Sequence, residues 1–172
     1  AFGVRGKKGL GCAEEQECIN DIDFLVGTFG KAIASAGAYI VCRKLIREYL
    51  INKMRPLIFS TALPPISMAW SDFIFNKVLS MQQQRQHLAE ISQYLQQAVI
   101  AKGFSSPSSS HIIPVIVGES QAAIEKARYV QQQGFYAMPV RPPTVPQNSS
   151  RLRISLTSLV QKNELQQLVE YL

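Results

Sequence analysis

Punctuation constrains this chain more than any other feature. After Pro64-Pro65, the next 37 residues contain no proline and no glycine before Gly103. Proline is tolerated in a first helical turn, where its missing N–H costs no bond, so the pair marks a start and the unbroken run reads as a long helix, bent or split. Within it Leu88, Ile91, Leu95 and Val99 recur at helical spacing, while the glutamine-rich 81–86 and Gln93, Gln96 and Gln97 take other faces. Glutamines beside such a stripe read as a partly exposed helix face rather than as low complexity. A connector at 64–102 therefore joins two regions, residues 1–63 and 103–172.

In the first region an apolar run at 22–26 reads as a short buried strand that stops at Gly27-Thr28. Lys31 follows, with Phe29 and Gly30 before it and Ala32, Ala34, Ala36, Gly37 and Ala38 after it. A solvated lysine normally has polar neighbours, whereas these small residues leave room for a backbone or a flat ligand to come close. Desolvation in such a place makes an amine a usable nucleophile and base, the chemistry of Schiff-base formation with a carbonyl and most often with pyridoxal phosphate. Thr28 can give a hydroxyl to a phosphate. A strand-end lysine that reaches water past a tight turn fits the same spacing, so the residues alone leave both readings open.

Around that segment, residues 2–11 are basic and glycine-rich but match no phosphate-binding fingerprint and read as loop, and 13–20 has a helical hint. Residues 38–42 are a second strand candidate. Leu45, Ile46, Tyr49 and Leu50 give 43–54 the period of a helix with one buried face; Arg55 and Pro56 end it, and 57–60 read as extended.

The last region alternates. Ser105-Ser-Pro-Ser-Ser-Ser110 is a loop and the best candidate for local disorder; 112–117 is a strand that carries Pro114 and so belongs at an edge or a bulge. Ser120 is placed to cap a helix over 121–133, with Ala123, Ile124, Ala127 and Val130 inward and Gly134 at its end. Strands at 135–140 and 152–157, a proline-rich loop at 141–150 and a final helix at 163–172 complete a small α+β layer. On a strand, Arg151 and Arg153 face the same way, and an arginine fork matches a carboxylate, though two solvated surface arginines on a strand fit the same pattern and are favoured by the residues alone.

Composition excludes several classes. With 172 residues and 47% hydrophobic content the chain can bury a core. No apolar run approaches the roughly 20 residues that span a bilayer, which leads to the expectation of a soluble, cytoplasmic protein with no membrane partner. Cys12, Cys18 and Cys42 fit neither a metal knuckle nor a disulfide framework and read as thiols, and His87 and His111 belong to no metal-binding cluster, so no metal is expected. The net charge of +6 is dispersed and no nucleic-acid-binding motif accompanies it, so no nucleic-acid partner is expected.

Three segments carry a resemblance. Val26-Gly-Thr-Phe-Gly-Lys-Ala-Ile-Ala-Ser-Ala-Gly-Ala38, Phe59-Ser-Thr-Ala-Leu-Pro-Pro65, and Arg141-Pro-Pro-Thr-Val-Pro146 followed by Arg151-Leu-Arg153 resemble, in the same order, motifs of the α-oxoamine synthases. The likeness runs from Phe2 to the C-terminus and covers about the second half of a family member. It implies an α/β fold: part of the large domain of a pyridoxal-phosphate-dependent transferase of the aspartate-aminotransferase-like type (fold type I) over 1–63, the connector over 64–102, and a smaller α+β C-terminal domain over 103–172.

The resemblance also implies roles. Lys31 would carry the cofactor, with Thr28 near its phosphate and Ser60 and Thr61 reaching the phosphate of the neighbouring subunit of a homodimer. Arg153 would take the substrate carboxylate and Thr144 the substrate side of the pocket. Asn148 stands where the family commonly has glycine; asparagine best replaces glycine at positive φ, so the loop can survive, but the choice between Arg151 and Arg153 stays open. Arg-Pro-Pro-Thr-Val-Pro is most similar to members that condense L-alanine with a pimeloyl thioester, on coenzyme A or a carrier protein; members forming 5-aminolevulinate or 2-amino-3-oxobutyrate are alternatives. In the family an Asp-x-Ala-His segment, whose Asp pairs with the cofactor ring, directly precedes the glycine-rich loop. Without that Asp the chain as given is expected to be an inactive half, so a non-catalytic fragment is a further alternative.

Overall fold

The computed structural model describes residues 1–172, which divide into two compact units, Ala1–Arg85 and Gln86–Leu172. The first unit opens with the glycine-rich loop, one turn of helix (α1, Cys12–Glu15) and a short 3-10 turn. A hairpin of β1 (Phe24–Thr28) and β2 (Ala38–Cys42) follows, paired antiparallel from Phe24 opposite Cys42 to Thr28 opposite Ala38. Then come α2 (Lys44–Lys53), α3 (Arg55–Ile58), α4 (Pro65–Leu79) and the first turn of α5 (Gln82–Ala101). The expected long helix is thus split, at Ser80 and Met81.

Two expectations for this unit are corrected. The first strand lies two residues later than 22–26 and is not buried: Phe24 and Val26 are 54% and 63% exposed. Helix α2 has its apolar stripe, yet none of its residues is buried and Leu45 is 79% exposed. Periodicity identifies which face is apolar, not whether anything covers it. In addition, the piece read as extended begins as helix α3, because Pro56 falls in a first turn, the one place where proline supports a helix.

The second unit holds the remaining turns of α5, then β3 (Ile112–Gly118), α6 (Ser120–Gln132), β4 (Met138–Val140), β5 (Ser150–Ser155) and α7 (Lys162–Glu170). The sheet order is β3-β5-β4, all antiparallel, so Pro114 does sit on an edge strand, and a register shift follows between Ile116 and Gly118. One sheet face, Ile113, Val115, Leu152 and Ile154, is at most 5% exposed. The buried side chains of the helices complete this core: Ala123, Ala127 and Val130 of α6, Leu165 and Leu168 of α7, and the stripe of α5. That stripe, Leu88, Ile91, Leu95 and Val99, is buried in full, as its spacing predicts.

Two local details differ from expectation. Helix α6 begins at Ser120 itself, with Glu119 at the cap position; the Ser120 hydroxyl instead pairs with the buried Ser150 hydroxyl at 3.2 Å. The serine loop at 105–110 is tied down: the Gln96 side-chain amide donates to the Ser106 and Ser108 carbonyls (2.8 and 2.6 Å), and the Ser108 hydroxyl donates to the Ile112 carbonyl (2.6 Å). The final helix carries a capping box in which the Gln161 N–H donates to the Glu164 carboxylate at 2.7 Å.

Candidate active site

Lys31 lies on the nine-residue turn that closes the β1–β2 hairpin. The ladder continues one step past the strands, the Phe29 N–H donating to the Gly37 carbonyl at 2.9 Å. Inside the turn the Ala34 N–H donates to the Lys31 carbonyl and the Ser35 N–H to the Phe29 carbonyl, at 2.9 and 3.0 Å. The turn is thus internally bonded, and Lys31 stands on it with an exposed side chain and no ion-pair partner. The desolvation expected from its small neighbours is not met within this chain. Burial depends on what packs over a segment, which neighbours in sequence do not determine.

Below the turn, Gly27 pairs with Tyr39, whose ring crosses it so closely that a Cβ there would lie 2.3 Å from the Tyr39 side chain, so any larger residue would require that ring to move. Helix α4 grips the turn from another side. The Trp70 indole N–H is shared between the Ile33 and Ala34 carbonyls, 3.1 Å from each. The Ser71 hydroxyl donates to the Ser67 carbonyl (2.7 Å) and pairs with the Ser35 hydroxyl (2.9 Å). Ile33 is 1% exposed and anchors the middle of the turn.

The glycine-rich loop packs against the same segment. Gly3, at φ 80°, approaches so near that a Cβ there would be 2.9 Å from the Ala32 Cβ. Arg85, 8% exposed, fixes the loop's far end: its guanidinium donates to the Lys7 carbonyl (3.1 Å) and to the α4 carbonyls of Val78 (2.6 Å) and Leu79 (3.4 Å). Glu14 accepts the N–H groups of Lys8 and Leu10 at 2.8 and 2.9 Å. Partial burial alone would raise this carboxyl's pKa, but those two backbone donors, with the charges of Lys8 and Arg85, outweigh it and hold it below the ordinary range.

The other predicted residues of this unit are also on its surface. Thr28, at the end of β1, is exposed; Ser60 and Thr61 are exposed, and the Ser60 hydroxyl donates to the Pro56 carbonyl. Lys31 offers an uncommitted primary amine, which suits an aldehyde, and the hydroxyls of Thr28 and Thr61 are of the kind that suits a phosphate, while that of Ser60 is engaged with Pro56.

In the second unit the sheet face opposite the core carries an open cavity of about 420 Å³, lined by Ser108, Ser110, Ile112, Pro114, Val140, Arg151 and Arg153 among others. Both arginines therefore do face the same way. Arg151 spends its Nε–H on the Ser149 carbonyl (2.9 Å), whereas the Arg153 side chain is exposed and makes no hydrogen bond or ion pair, leaving its whole fork free. Asn148 has φ 58°, the left-handed conformation for which asparagine substitutes best. Thr144 is exposed in the proline-rich loop, its N–H donating to the Arg141 carbonyl at 3.0 Å, and does not line the cavity.

Sequence reading missed Trp70, Ser71, Arg85 and Gln96. Each acts through a polar atom on a distant segment. A lone tryptophan in an apolar helix signals an N–H in need of an acceptor, but not which one. No group of three or more His, Cys, Asp or Glu is placed to hold a metal, and no helix is long and apolar enough to cross a membrane.

Residues 2–172 match the family of class I and II aminotransferases, and the chain belongs to that family. Among its relatives, an 8-amino-7-oxononanoate synthase from Haemophilus ducreyi is 54% identical over 170 residues, which is 98% of this chain and 44% of the relative. Among solved structures, the 8-amino-7-oxononanoate synthase of Francisella tularensis superposes with a TM-score of 0.87 at 26% identity, over 99% of this chain and 51% of that one. A structure of serine palmitoyltransferase with pyridoxal phosphate as its internal aldimine gives 0.91 at 26% identity, over 99% and 44%. The chain spans about half the length of the curated relatives it matches.

Proposed function

We propose that this chain is the C-terminal half of an enzyme that condenses L-alanine with a pimeloyl thioester, releasing carbon dioxide and the thiol carrier and forming 8-amino-7-oxononanoate for biotin synthesis. The cofactor is pyridoxal phosphate, which when bound supplies an electrophilic aldehyde and a ring that accepts the electron pair left by a bond broken at the amino acid's Cα. Lys31 would be the amine that holds it and the base that takes the Cα proton. Thr28 donates its hydroxyl to the phosphate, and Ser60 and Thr61 do so across the interface of a homodimer. Arg153 grips the substrate carboxylate with two parallel bonds and so fixes which Cα bond stands ready to break; Thr144 borders the substrate side of the pocket. The enzyme works in the cytoplasm.

The observation that carries this reading is the bonded turn that presents Lys31 with its amine uncommitted, in a chain 54% identical to a protein of that name. The free fork of Arg153 supports it over Arg151 as the carboxylate partner. Assay of the full-length protein with alanine, glycine and serine against several acyl thioesters tests the substrate assignment. Thiol release with alanine and a pimeloyl thioester is expected; release with glycine but not alanine would overturn it in favour of a related synthase.

A further inference from the structure

Helix α4 touches the lysine turn at three consecutive residues, 33–35, through two adjacent side chains, and we infer that Trp70 and Ser71 are positioning residues that aim Lys31. This rests on the reading of Lys31 given above. The turn has only two internal N–H bonds between residues 29 and 35, and Ala34 holds φ 50°, a conformation that side chains with a Cβ disfavour. Something outside the turn must hold it there. Trp70 donates one N–H to the carbonyls on either side of the Ile33–Ala34 link, and Ser71, 8% exposed, meets the hydroxyl of the next residue, Ser35. The backbone that launches Lys31 is therefore bonded to a 15-residue helix rather than left to its own two bonds.

Trp70 itself is 44% exposed, so its contribution lies in the shared N–H more than in buried ring area. That distinguishes it from a core residue and gives the test its design. In the full-length, cofactor-loaded protein, Trp70→Phe keeps an aromatic ring and deletes the donor, Ser71→Ala deletes the hydroxyl, and Phe73→Leu alters the ring beside Trp70 without touching either bond. Hydrogen exchange at the Ala34 and Ser35 amides is read together with kcat, KM and the pH midpoint of the cofactor's visible absorbance. Loss of the donor should speed exchange at both amides by roughly tenfold, as expected for one lost hydrogen bond. It should lower kcat by about fivefold or more with the KM for the thioester nearly unchanged, and shift the absorbance midpoint. Phe73→Leu should do none of these.

Unchanged exchange at Ala34 and Ser35 in both Trp70→Phe and Ser71→Ala overturns the clamp. Faster exchange with kcat and the absorbance midpoint unmoved overturns the aiming role and leaves a merely structural contact. A wild-type protein that never carries the cofactor on Lys31 overturns the proposed function instead, and the exchange result then still reports on the clamp.

Discussion

The two units of this chain hold the residues proposed for the site in different ways. Of nineteen buried apolar side chains, sixteen lie in the second unit and three, Ala13, Ile33 and Val78, in the first. Of the large apolar side chains that are exposed, seventeen of twenty-two lie in the first. Arg153 accordingly stands on a strand whose other face is core, with Leu152 and Ile154 at 0% and 5% exposure on either side. Lys31 stands on a turn held by hydrogen bonds from Trp70, Ser71 and its own backbone, next to a loop held by Arg85 and Glu14. Packing fixes the first kind of site and directional polar bonds the second, so the two should break under different substitutions.

The largest effect is expected from packing. Leu95→Ala, at a side chain with no exposure, should cost about 3 kcal/mol or more in denaturant unfolding, whereas Leu45→Ala, at one 79% exposed, should stay within about 0.5 kcal/mol in this chain. Equal costs would erase the contrast. Next, Arg85→Ala should loosen the glycine-rich loop by about 1–3 kcal/mol, seen as faster tryptic cleavage after Lys7 and Lys8, with the second unit's exchange unaffected. Gln96→Ala is the counterpart in the second unit and should cost about 1 kcal/mol, seen as faster exchange in the serine loop while the sheet stays protected.

The smallest effect is a pH dependence. The Glu14 carboxyl is held below its ordinary value in the folded loop, so its bonds to Lys8 and Leu10 add stability above the ordinary carboxylate range. That stability is lost as pH falls through the depressed folded value. Exchange at the Lys8 and Leu10 amides, corrected for its intrinsic pH dependence, should rise in acid, and Glu14→Gln should flatten that rise. A loop equally protected throughout would show that Glu14 does not hold it.

Much of this architecture was legible in the residues. The run Ala38 to Cys42 is a strand, the stripe of α5 is buried, Pro114 lies on an edge and Asn148 takes positive φ, because each depends on local chemistry or a simple period. What could not be read depends on partners far along the chain. The exposure of Lys31 and of the α2 stripe is decided by what covers them, the order in the serine loop by Gln96, and the fixed lysine turn by a tryptophan more than thirty residues away. Helix α3 was missed for a local reason, since Arg55-Pro56 serves equally as an end and as a beginning.

Borohydride reduction of the full-length protein with pyridoxal phosphate, followed by peptide mapping, tests the central claim most directly. The cofactor should be fixed on the peptide that contains Lys31, with no labelled peptide recovered from Lys31→Ala. Label on another lysine, or undiminished label in Lys31→Ala, would contradict it.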